Sequence, residues 1–126
     1  MSHQTESAKG KLLLIDLDDA RRATRISLLT ASGYTVDIRN DYIAAERLDH
    51  EGEFDLIILA LHRYPEKATE YTNQLSRAKP RLPILLLTDL GAYVPPGTLT
   101  QSIQAGSPTA LIHEIASMLA GSIHIR

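Results

Sequence analysis

The chain has 126 residues, 44% hydrophobic and 22% charged, which suits one globular domain with a sheet covered on both faces. Thirteen basic against fifteen acidic side chains give a formal net charge of −2, so no global field draws it to nucleic acid or anionic lipid. The absence of cysteine excludes disulfides, thiolate metal sites and thiol nucleophiles, and no apolar run approaches the ~20 residues of a membrane span.

Met1 to Ser7 has neither the basic nor the apolar stretch of a secretory signal, so a soluble cytoplasmic protein is expected. Residues 1–10 read as a flexible lead and 121–126 as a tail, leaving 11–120 for the domain. Leu12-Leu13-Leu14-Ile15 is a short continuous apolar run, the mark of a strand buried on both faces of a parallel sheet; it stops at Asp16. Asp18 or Asp19 can cap a helix that runs through Leu28 and Leu29 to Gly33, a stop residue. Tyr34-Thr35-Val36-Asp37-Ile38 is rich in β-branched residues and forms the second strand. Asn40 then caps a helix carrying Ile43, Ala44, Arg47 and Leu48 and ending near Gly52.

Phe54 to Leu61 is the strongest strand, and Pro65 suits the first turn of a helix reaching about Ala78. Pro80 and Pro83 end that helix and introduce the fourth strand, Ile84 to Thr88. Pro95-Pro96-Gly97 keeps any long regular helix out of Asp89 to Gly97. A weaker fifth strand spans Thr98 to Ile103. Ser107-Pro108 opens a last helix with Leu111, Ile112, Ile115, Met118 and Leu119 at core spacing. Strand and helix alternating in this way predict an α/β fold, three-layered and doubly wound, with its chemistry at the carboxyl ends of the strands. Those ends carry Asp16, Ala60, Thr88 and Gln104.

The first strand-helix turn, Asp16 to Ala20, has no glycine and three acids, so it would repel a phosphate where nucleotide folds cradle one. No Ser-His-Asp or Cys-His set sits on strand ends, and His3, His50, His113 and His124 lack metal-ligand spacing. Asp16 suits a turn-stabilising carboxylate better than a metal ligand. Asp18 and Asp19 are expected to cap the helix and pair with Arg21, Arg22 or Arg25. A solvated face is the plainer reading of those arginines, a docking patch the sharper one.

In order and spacing, the chain resembles a receiver domain of two-component signalling over about residues 11 to 120. The resemblance rests on Leu12–Asp18 as first strand and acidic pair, Gly33–Val36 as the glycine-aromatic step, and Phe54–Leu59 as the approach to the phosphorylated strand. It continues with Pro83–Thr88 as fourth strand with its hydroxyl and Ser107-Pro108 at the last helix. It implies a flavodoxin-like five-stranded parallel sheet in the order 2-1-3-4-5. Thr88 to Gln104 spans sixteen positions, about one to two helical turns short of that pattern, so the fourth helix is expected to be shortened or missing.

The departures fall on the phosphorylation positions. The acidic pair maps onto Asp16 and Leu17, the phosphoacceptor aspartate onto Ala60, the switch hydroxyl onto Thr88, and the lysine onto Gln104. The switch aromatic maps onto Gln101. Alanine offers no oxygen to attack phosphorus, one carboxylate is a poor magnesium site, and glutamine brings no cation to a phosphoryl group. With its hydroxyl unneeded for switching, Thr88 reads more plainly as a strand-end residue bonded to backbone. Asp89 and His62 are minor alternative acceptors, and His62 with Arg63 reads more plainly as exposed loop.

A pseudo-receiver is the expectation: no enzyme, metal or cofactor, and signalling through phosphorylation-independent protein contacts. The expected partner is a signalling protein or a second copy, with no nucleic acid or membrane. Tyr93, Val94, Pro95 and Pro96, with Gln101 and Ile103, form the candidate interaction surface; where the shortened helix leaves the fourth and fifth strands to be covered, the cover is that loop (read equally as an apolar plug), a second copy or a partner chain. Two alternatives stay open: a small-molecule sensor using the emptied pocket near Leu17 and Ala60, and the regulatory part of a longer transcription factor.

Overall fold

A computed structural model describes residues 9–16, 19–39, 54–60, 65–78, 81–88, 100–104 and 107–124. Five strands, β1 (Lys11–Asp16), β2 (Thr35–Arg39), β3 (Leu56–Ala60), β4 (Ile84–Thr88) and β5 (Thr100–Gln104), pair in parallel in the order β2-β1-β3-β4-β5. Three helices are described: α1 (Asp19–Ala31), α2 (Pro65–Ala78) and α3 (Pro108–His124). None of the described helices is long and apolar enough to cross a membrane.

Alternation along the central strands builds two cores. Leu13, Ile15, Ile57, Leu59, Ile84 and Leu86 pack with Tyr71 and Leu75 of α2. Leu12, Leu14, Leu56, Ile58, Leu85 and Leu87 face the other way and pack with Leu29 of α1 and Leu111 and Ile115 of α3. Both faces of β1, β3 and β4 are therefore buried, which is why these strands read as unbroken apolar runs. Each such leucine or isoleucine contributes about 1.5–3 kcal/mol relative to leaving it in water.

β5, like β2, is an edge strand, so its polar sequence TQSIQ meets a looser demand. Its assignment at Thr100–Gln104 lies one to two residues beyond the expected span.

The turn out of α1 explains a second shift. Gly33 takes φ +103°, Tyr34 N–H donates to Leu29 O at 3.2 Å, and Gly33 N–H donates to Thr30 O at 3.0 Å. That pair of bonds is the Schellman closure, with Tyr34 and Leu29 joining the same apolar cluster. Tyr34 is thus used up in ending the helix, and β2 starts at Thr35 rather than Tyr34.

At both ends the described structure reaches past the expected bounds. Lys9 N–H donates to Gly33 O and Thr35 N–H to Gly10 O, each at 2.9 Å, so Lys9 and Gly10 already belong to the sheet's edge. At the other end α3 continues past Ala120 to His124. Gly121 costs a helix only about 1 kcal/mol relative to alanine and does not stop it without a turn signal behind it. The helix start matches expectation: Ser107 Oγ accepts from Ala110 N–H at 3.1 Å, with Pro108 in the first helical position. The expected helix from Asn40 to Gly52 and the segment of the shortened fourth helix lie outside the described residues.

Candidate site at the carboxyl edge of the sheet

Parallel pairing carries the ends of the strands to one edge. Asp16 ends β1 and stands in register with Ala60, the last residue of β3; Thr88 ends β4 in register with Gln104 at the end of β5. The topology brings together four of the five positions singled out in the sequence. The fifth, Leu17, lies outside the described residues, as do Asp18, His62, Arg63, Asp89 and the Tyr93, Val94, Pro95, Pro96 loop.

Asp16 has the same parity as Leu12 and Leu14, so it faces the layer formed by α1 and α3 and is fully buried. Burying a carboxylate there requires a partner. Arg25 supplies it: its Nη1 donates to Asp16 Oδ2 at 2.5 Å, with 11% of the arginine side chain exposed. Arg22 Nη1 donates to the Asp16 backbone oxygen at 2.8 Å. Two arginines of α1 therefore converge on the last residue of β1, one on its side chain and one on its main chain. Removing one partner of such a buried pair typically costs about 3–5 kcal/mol, because the other charge is left stranded.

This corrects the solvated-face reading of the arginines. Arg21 is exposed, whereas Arg22 and Arg25 reach the sheet. The signal was present: Arg22, Arg25, Ile26 and Leu29 follow the three-, four- and seven-residue spacing of one helix face, the face that carries Leu29 into the core. Asp16, expected to cap the helix or stabilise the turn, is instead buried and paired with Arg25.

Ala60 is 3% exposed and belongs to the apolar cluster between the sheet and the α1–α3 layer. Its methyl group offers no ligand atom beside Asp16. Among the described residues no group of three or more His, Asp or Glu side chains is placed to hold a metal ion. A buried carboxylate already engaged by a guanidinium, next to a methyl group, does not fit the oxygen-rich shell that magnesium requires.

Such a sheet has known counterparts. A response regulator receiver protein from Sinorhizobium medicae superposes with a TM-score of 0.73 at 18% identity, over 94% of this chain and 98% of the other. A CheY-like receiver domain from Methanospirillum hungatei gives 0.72 at 18%, over 89% and 94%. Response regulator TrrA from Thermotoga maritima, solved in complex with Mg²⁺ and BeF, gives 0.71 at 20%, over 86% and 97%. The fold is that of receiver domains. No family model matches the sequence, and no curated protein does. With identities this low, the likeness carries the fold and the chemistry rests on the side chains.

The candidate interaction surface is partly altered by the structure. Gln101 is exposed. Ile103 is half-buried and packs against the α1–α3 core, where Leu87 is its register partner, so it serves packing rather than a free surface. Ile84 to Leu87 are buried within this one chain, so β4 does not need a second copy or partner as cover.

Proposed function

We propose that this chain is a receiver-like signalling domain of two-component regulation, without phosphoacceptor chemistry, acting through phosphorylation-independent contacts with other proteins. It is a binding module in this reading, not an enzyme. The observation that carries it is the position of Ala60: the tip of the central strand, in register with Asp16, ends in a methyl group. No aspartyl phosphate can form there, since the nucleophilic oxygen is absent. The Thermotoga protein was solved in complex with Mg²⁺ and BeF; in the present chain the corresponding edge offers a carboxylate already paired with Arg25. The small-molecule alternative draws little from the geometry, because Ala60 is packed into the core rather than lining an open space.

The test is incubation with acetyl phosphate and magnesium, followed by intact-mass measurement, with pull-downs from the native host run with and without the phosphodonor. The expected result is an unchanged mass and the same captured partners under both conditions. A phosphoryl adduct, wherever it maps, would overturn the proposal.

A further inference from the structure

We infer that Arg25 is a built-in cation: its guanidinium takes over the charge-neutralising task at Asp16 and thereby closes this edge to divalent metal. The inference rests on the receiver-like reading above and deepens it. That reading explains why no phosphoryl group is accepted; Arg25 explains why losing the ion does not leave Asp16 destabilised.

Three observations carry it. Asp16 is fully buried, so its charge must be matched from within a few ångströms. The matching group is covalently part of α1, and its Nη1 lies 2.5 Å from Oδ2. Arg22 holds the main-chain oxygen of the same residue at 2.8 Å, so the end of β1 is fixed to α1 at two points. A soluble ion competing for Asp16 must displace a guanidinium that α1 holds against it, an intramolecular competitor. It would also give up its own water for a site where the neighbouring strand end, Ala60, supplies no side-chain oxygen.

The consequence is specific. Restoring a carboxylate at position 60 is not enough to create a magnesium site, because Arg25 still occupies Asp16. Removing Arg25 at the same time takes that guanidinium away from Asp16, so the two carboxylates can share an ion. Arg25 acts here as a positioning residue, since nothing is transformed at this site.

The experiment compares the native chain, Ala60→Asp, and Ala60→Asp combined with Arg25→Gln by thermal melting with and without MgCl₂. The native chain and the single variant are expected to melt at the same temperature with and without magnesium. The double variant should rise by roughly 5 °C once magnesium exceeds its Kd about tenfold. A comparable magnesium shift in Ala60→Asp alone would overturn the inference, as would a double variant that folds and stays blind to magnesium. A second measurement does not depend on the variants folding: Mn²⁺ titrated into the ¹⁵N-labelled native chain. Intact amide signals at Asp16 and Ala60 are expected, and their selective paramagnetic loss would overturn the inference. Failure here is separate from failure of the functional reading, which is decided by phosphoryl transfer to the native chain.

Discussion

Gly33 shows how one residue can hold a turn that a whole helix depends on. Its φ of +103° is a conformation that side-chain-bearing residues resist, and the two hydrogen bonds that end α1 need it. A Cβ at this position would also lie 3.3 Å from the Lys9 side chain, a flexible neighbour that can move. Backbone strain therefore outweighs crowding, and Gly33→Ala should destabilise the chain by about 1–2 kcal/mol. Urea unfolding checks this, and a change inside about 0.5 kcal/mol would show that the turn relaxes without cost. Gly33 was legible in the sequence because glycine after a helical pattern has one common use. Arg25 was not, because an arginine on a helix defaults to solvent and only its spacing from Leu29 placed it on the inner face. The depth of Asp16 was hidden for a related reason: strand parity turns it inward, yet a carboxylate at a strand end reads first as a turn residue.

Among the elements, α3 depends most visibly on a local signal. Ser107 caps it through Oγ to Ala110 N–H, and Leu111 N–H reaches Ser107 O at 3.0 Å. Replacing Ser107 by alanine removes the side-chain acceptor and should cost about 1 kcal/mol, while Ser107→Asp should restore most of it. Thermal melts of the two variants decide the point, and equal losses in both would argue that the cap contributes little. This start was readable to the residue, as was β4, because proline fixes boundaries by removing an N–H and a range of φ. Where no proline stands, boundaries slid. β3 is shorter than its apolar run because Phe54 and Asp55 are spent before it. Asp55 Oδ2 accepts from Lys11 N–H at 2.8 Å and Asp55 N–H donates to Lys11 O at 2.7 Å, tying the approach of β3 to the start of β1. Side-chain hydrogen bonding of that kind leaves no periodic trace. The burial of β1, β3 and β4 on both faces was legible in their unbroken apolar runs, whereas the strand order was implied by the receiver resemblance.

For the whole molecule, the two edges of the sheet divide the work. The carboxyl edge joins β1 to α1 through charge, at Asp16, Arg22 and Arg25. The amino edge joins β1, β2 and the end of α1 through main-chain bonds around Gly10, Gly33 and Thr35, with Tyr34 buried beneath them and Lys9 Nζ 5.9 Å from its ring centre. That second edge gives the fold an alkaline limit. Burial raises the Tyr34 phenol above its ordinary value near 10, since a phenolate there would lose its hydration. Between the unfolded and folded values the native chain holds a proton that the unfolded chain has released. Stability is therefore fully present below the unfolded value and declines as pH rises toward and through the folded one. The informative quantity is a difference between two proteins. From about pH 9 to about pH 11 the native chain should lose more stability than Tyr34→Phe, which keeps the ring and has no proton to release. Parallel slopes for the two proteins in urea titrations across that range would place the alkaline limit elsewhere in the molecule.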